Sequence, residues 1–123
     1  SESKGSSNDP QYLIQLANFA VKQNAANEAL VITHQINKVD PRSYYGNYFG
    51  AAVNEALNKR SEAIKYREAL LALDPWNTAS QIELIRNYLA IGNKASAQEV
   101  ATLIKRNYPG SQADIDASAL LVG

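Results

Sequence analysis

The chain has 123 residues, enough for one domain, and its 46% hydrophobic and 20% charged content is ordinary for a folded globular protein. Twelve basic residues balance twelve acidic ones, so the positive field that draws proteins to nucleic acid or anionic lipid is missing and neither partner is expected. The absence of cysteine excludes disulfides, thiolate catalysis and cysteine-type zinc sites, and leaves a cytoplasmic or an extracytoplasmic location open.

Residues 1–8, SESKGSSN, are small and polar and read as a flexible linker or an expression remnant, with the folded part beginning at Asp9. The N-terminus lacks the basic and apolar regions of a signal peptide. No apolar run approaches the roughly 18–20 residues that span a bilayer, so no membrane insertion is expected. A first helix is predicted over 10–23, with Asp9 as N-cap and Pro10 at the first helical position, where a missing backbone N–H costs nothing. A second, over 28–39, follows the capping type Asn27, carries Glu28 in its first turn and turns Leu30, Thr33, Ile36 and Val39 inward. The only histidine, His34, has no cysteine or acidic residue within one helical turn, so it reads as a surface residue and no metal site is expected.

A third helix is predicted over 44–57, capped by Ser43. It opens with YYGNYFGAA, which places four of the chain's ten aromatic residues within six positions and separates them with Gly46 and Gly50. Each glycine weakens a helix interior by about 0.5–1 kcal/mol relative to alanine, so the pair needs a reason. At about 100° per residue, Tyr45, Tyr48, Ala52 and Glu55 fall on one side, with Tyr44, Phe49 and Ala56 at its edges. Gly46, Gly50, Val53 and Leu57 fall on the other, where missing side chains let a neighbouring helix approach closely.

The fourth helix, over 61–73, follows Ser61 with Glu62 in its first turn and Ile64, Leu70 and Leu73 inward. Lys59, Arg60, Lys65 and Arg67 alternate with Glu62 and Glu68 and read as a solvated, partly paired face. Trp76, in the loop that follows, reads either as cover for a joint between helix pairs or as an exposed anchor, with cover the favoured role. Helices over 78–91 and 95–107 come next, the first capped by Asn77. The last, over 112–121 after Ser111, is expected to lay Ile115, Ala119 and Val122 against the preceding pair while Gln112, Asp116 and Ser118 stay wet. A partly exposed Leu120 or Leu121 leaves two states open, a monomer and weak end-to-end self-association. Asp114 and Asp116 point to different sides and form no acid–base pair; Asp114 is a first-turn charge favoured by the helix dipole. No glycine-rich phosphate loop is present and no cofactor is expected. Alternating strand patterns are missing throughout, so the fold class is all-α.

A 34-residue period runs through these elements. Pro41, Pro75 and Pro109 keep it, as do the caps Ser43, Asn77 and Ser111 and the alanines 29, 63 and 97. Asn24, Asn58 and Gly92 keep it too, all residue types that tolerate the left-handed conformation in which helices end. The chain therefore divides into repeats at about 9–42, 43–76 and 77–110, each of two helices, followed by a capping helix at about 112–121.

At these columns the segments SEAIKYREALLALDPWN (61–77) and YLAIGNKASAQEVATLIKRNYPGS (88–111) resemble tetratricopeptide (TPR) repeats: tyrosine late in the first helix, glycine in the turn, alanine early in the second helix, proline after it. Asn47, Gly50 and Asn54 depart from the tryptophan, leucine and tyrosine common in that family. The resemblance implies a right-handed superhelix whose first helices line a concave groove that holds a protein or peptide partner. Carried onto this sequence, the groove takes Ile14 and Asn18 from the first helix, with Gln11, Gln15 and Val21 beside them. It takes Tyr45, Tyr48, Phe49 and Ala52 from the third, and Ile82, Glu83 and Arg86 from the fifth, with Ala79 and Leu89 beside them. Aromatic rings there either meet a ligand or fill space between first helices; Tyr45 and Tyr48 fit the first role and Phe49 the second. Relatives that clamp a C-terminal carboxylate use asparagines and basic side chains where this chain has Ile14, Asn18, Phe49, Ala79 and Glu83, so that mode is not expected.

A narrower likeness joins DPRSYY and YREALLALDPWNTASQIELIRNYLAIGN to the soluble C-terminal repeat segment of bacterial membrane proteins of the O-antigen ligase and polymerase family. It implies, as the alternative to a free-standing non-catalytic adaptor, an accessory domain of a membrane glycan enzyme that contacts partner proteins or glycan.

Overall fold

The computed structural model describes residues 10–122, which form seven helices. These are α1 Pro10–Lys22, α2 Ala26–Val39, α3 Tyr44–Ala56, α4 Arg60–Leu73, α5 Thr78–Ala90, α6 Lys94–Asn107 and α7 Gln112–Val122. No strand occurs among the described residues, and no helix among them is long and apolar enough to cross a membrane. The linker at 1–8 and the Asp9 cap lie outside the described residues. Packing is most extensive within the pairs α1–α2, α3–α4 and α5–α6; α2 then meets α3, α4 meets α5, and α7 closes onto α5 and α6.

Three turns inside these pairs are built alike. Asn24, Asn58 and Gly92 stand at φ 58°, 59° and 80°. The N–H of the next residue reaches back to the helix just ended: Ala25 to the Ala20 carbonyl at 2.8 Å, Lys59 to Asn54 at 2.7 Å and Asn93 to Tyr88 at 2.8 Å. This bond closes a helix that is ended by a single residue in the left-handed conformation. The same residue is the N-cap of the following helix, so α2 and α4 start earlier than the capping residue types suggest. Asn27 and Ser61 lie inside the first turn, while the true caps Ala25 and Lys59 make no side-chain bond. Asn93 does cap α6, accepting from the Ser96 N–H at 3.2 Å.

The loops between pairs are capped as the sequence indicates. Ser43 accepts from the Gly46 N–H at 3.0 Å, Asn77 from Ser80 at 3.1 Å and Ser111 from Asp114 at 3.2 Å. Asn47 and Gln81, one period apart, bind the proline loops below them: Asn47 donates to the Ser43 carbonyl at 2.7 Å and the Pro41 carbonyl at 3.3 Å, and Gln81 to Pro75 at 2.8 Å. A buried amide thus replaces a large ring at this column by satisfying loop carbonyls. Asn54, also buried, donates to the Gly50 carbonyl at 2.7 Å. The glycines behave as close-packing positions. A Cβ at Gly46 would stand 2.5 Å from Ile36 Cγ2 on α2, and one at Gly50 would stand 2.6 Å from the Tyr66 ring on α4.

The apolar core has two parts. Leu13, Ala17, Ile36 and Phe49, continued by Ala20, Ala29 and Val53, join α1, α2 and α3. Ile64, Leu84, Ile85, Val100, Ile104 and Ala117 join α4 to α7. Three expectations fail at the margins. Val39 ends α2 and is exposed, as is its column mate Asn107. Trp76 is 72% exposed, because the turn that carries it closes through the Asn77 N–H on the Asp74 carbonyl at 3.1 Å and leaves the ring outside. On α7, Ile115, Ala119 and Val122 face solvent and Asp114 and Ala117 are buried instead, with Leu120 and Leu121 half-buried against the core. The cause is Asp114, whose carboxylate accepts the Gly110 N–H at 2.9 Å and lies 3.4 Å from Lys105 Nζ, which turns this side of the helix inward.

Candidate functional site

Between α1 and α3 lies a cleft of about 350 Å³. Ile14, Gln15, Asn18 and Val21 form its α1 wall, and Tyr45, Tyr48, Phe49 and Ala52 its α3 wall. None of these side chains is charged. Helical spacing accounts for both walls, since the α1 residues recur at three and four and the tyrosines stand opposite the two glycines that bring α3 close to its neighbours. Tyr45 is 52% and Tyr48 40% exposed, whereas Phe49 is buried in the core beneath them. Other depressions of similar size, one of about 360 Å³ at Asn58–Glu62 with Ala90 and Ile91, another of about 310 Å³ at Pro41 and Leu73, have no aromatic lining.

The rings are held by their neighbours. Tyr48 meets Phe49 edge-on at a centroid separation of 5.4 Å and lies parallel to Tyr44 at 6.5 Å; Tyr44 meets Tyr45 edge-on at 5.3 Å. Tyr44 is fixed in turn by Asn77, whose amide donates to its hydroxyl at 3.0 Å. The Arg67 guanidinium stands 6.0 Å from the centre of the Tyr48 ring, at the outer range of a cation–π contact. Arg67 is itself buried and binds Glu55 through two 2.8 Å bonds and Ser80 at 3.1 Å. Asn87 donates to Glu55 at 2.7 Å and accepts from Arg60 at 2.8 Å, which completes a network across α3, α4 and α5.

Six of the nine residues assigned to the groove by sequence therefore share one cleft, and three do not. Ile82 is buried in the α4–α7 core, while Glu83 and Arg86 form a loose surface pair at 3.9 Å on α5. The basic group read as a solvated face divides: Lys65 and Glu62 pair in solvent at 3.2 Å, but Arg67 is internal and Arg60 half-buried. One signal for Arg67 was present. Its column mates are Thr33 and Ala101, both buried, so a charge in that column required an internal partner. Tyr88, half-buried on α5, donates to Glu68, and its hydroxyl is held above the ordinary range by burial first and by that carboxylate second. Among the described residues no cluster of three histidine, cysteine or acidic side chains is placed to hold a metal ion.

No protein-family model matches the chain, and no curated protein matches it. Among solved structures it is similar to MamA from Desulfovibrio magneticus RS-1, taken from position 41 to its end, with a TM-score of 0.59 and 16% identity. The match covers 94% of this chain and 75% of that one. The fold is a TPR-like helical repeat. At this identity the likeness carries architecture alone, and it does not extend to the O-antigen ligase resemblance. The TPR-like arrangement agrees with the three left-handed turns one period apart and with consecutive pairing of the seven helices.

Proposed function

We propose that this TPR-like protein is a non-catalytic adaptor that holds an uncharged, apolar-anchored segment of a partner protein in the cleft between α1 and α3. The observation that carries the reading is the exposure of Tyr45 and Tyr48 in a neutral cleft of about 350 Å³. Tyrosines fixed by neighbouring rings lose little conformational freedom when a ligand covers them, which is why such residues dominate binding energy at interfaces. Gln15 and Asn18 on the opposite wall offer amide donors and acceptors to a peptide backbone. A charged tail would have to be desolvated against this wall without an opposite charge to meet it.

Peptides selected from a displayed random library on the wild-type protein provide the probe. Tyr45→Ala with Tyr48→Ala is expected to weaken the selected peptides by roughly thirtyfold or more, the scale of two interface residues each worth about 1 kcal/mol, while helical circular dichroism is unchanged. Peptides that bind the folded double variant as well as the wild type would remove this surface from consideration.

A further inference from the structure

The 34-residue register lets the joints between successive helix pairs be compared column by column, and the first joint is built from the smallest side chains. At the second joint, Glu55, Arg60 and Asn87 link α3, α4 and α5 through bonds of 2.7 and 2.8 Å. At the third, Leu89, Leu120 and Leu121 pack against the α4–α7 core. The first joint has Val21 where the others have Glu55 and Leu89, and Ala26 where they have Arg60 and Lys94. It has Ala52 in the column of Arg86 and Leu120, and Val53 in that of Asn87 and Leu121. What remains there is a pocket of about 90 Å³ lined by Val21, Asn24, Ala26, Ala52, Val53 and Ala56. Val21 and Ala52 are also walls of the α1–α3 cleft, so the pocket adjoins that cleft at the turn end of α1.

We infer that this pocket takes one branched aliphatic side chain, of valine or leucine size, from the segment held in the cleft; the inference rests on the cleft reading and adds the anchor that fixes the segment's register. Charge, size and precedent within the molecule select this occupant. No lining side chain is charged, so a charged group entering the pocket would lose water without meeting a counter-charge. A dry apolar cavity of about 150 Å³ holds benzene, so about 90 Å³ holds roughly four carbons and excludes an aromatic ring. Where the third joint fills the columns of Val21, Ala52 and Val53 itself, it does so with leucine. The walls are in place before a ligand arrives. Val53 is buried with Ala20 and Ala29, and the left-handed turn at Asn24 is closed by the Ala25 N–H on the Ala20 carbonyl at 2.8 Å. A preformed pocket costs little ordering on binding. Asn24, exposed at the rim, offers its amide to the backbone of the segment. Ala52 stands one helical turn beyond Tyr48, so a segment lying along the cleft seats this anchor and still lays a second apolar residue on the tyrosines.

Peptides selected from a displayed random library on the wild-type protein should share one valine, leucine or isoleucine. Replacing that residue with alanine removes two or three buried carbons and should weaken binding roughly tenfold or more, as should phenylalanine, which the pocket cannot admit. Ala26→Leu fills the pocket without altering the cleft walls, and the long side chains of Arg60 and Lys94 in its column show that the repeat accommodates it. This variant should also weaken the parent peptide roughly tenfold, yet bind the alanine-substituted peptide as well as the wild type does. Ala56→Leu, at the exposed rim of the pocket, carries the same test should Ala26→Leu lose helicity. Peptides that depend on Tyr45 and Tyr48 but share no aliphatic residue, or that bind the filled variant unchanged, overturn the inference and leave the cleft reading standing. Peptides indifferent to the tyrosine pair overturn both.

Discussion

Gly46 and Gly50 occupy a helix interior where glycine is unfavourable, and the structure supplies the compensation: Ile36 and Tyr66 fill the space that side chains would take. Gly46→Ala is the sharper test, since alanine brings back about 1 kcal/mol of helix propensity but drives its Cβ into a fully buried, branched Ile36. Overpacking of this kind costs about 1–3 kcal/mol, so a net loss of up to about 2 kcal/mol is expected in urea unfolding. Equal or higher stability would show that α3 does not need its close approach. The division of this helix was legible in the sequence because glycines and tyrosines separate cleanly around its axis. Arg67 was legible only through its column, since Thr33 one period earlier reads as inward, while its own charge and its basic neighbours pointed to solvent.

The terminal helix α7 was legible as an element from Ser111 and the period, but its orientation was not. In a repeat, the buried face of a first helix is defined by the second helix that follows, and the columns of Ile115 and Val122 have no such cover among the described residues. Asp114 decides the orientation instead, and it makes docking of α7 depend on pH. Its carboxyl is held below the usual value, first by the Gly110 N–H and then by Lys105. A lowered folded-state value means that ionisation stabilises docking fully above the ordinary aspartate range, about 3.9, and that this contribution disappears as pH falls through the lowered value. Hydrogen exchange at the Ala117 and Leu120 amides should therefore stay protected down to about pH 4, after allowance for intrinsic rates, and lose protection below it while α5 remains protected. Asp114→Asn removes the titrating group, so its α7 should show no such pH step; an unchanged step would assign the titration to another residue.

Across the whole molecule, the two apolar core regions meet at a buried polar junction, and this arrangement governs cooperativity. Glu55, Arg67 and Asn87 join α3, α4 and α5, yet their column mates are Val21 and Leu89, Thr33 and Ala101, and Phe19 and Val53. The period made the helix pairs legible but concealed this junction, because no position in it repeats. Arg67 of this junction stands beside the Tyr48 ring, so the junction also ties cleft geometry to the contact between neighbouring units. In a repeat array stability is the sum of unit and interface terms, and a weakened interface allows the two sides to unfold separately. Arg67→Ala leaves the carboxylate of Glu55 without its guanidinium, a change that costs about 3–5 kcal/mol in buried pairs, with the lower end expected here because Asn87 still donates to it. Urea unfolding should then broaden, with a smaller m value, and amides of α1 to α3 should exchange faster than those of α5 and α6. Replacing both partners, Arg67→Met with Glu55→Leu, removes the stranded charge and should restore a single transition. A variant with Arg67→Ala that loses protection equally on both sides would show that the apolar contacts alone bind the array into one cooperative unit.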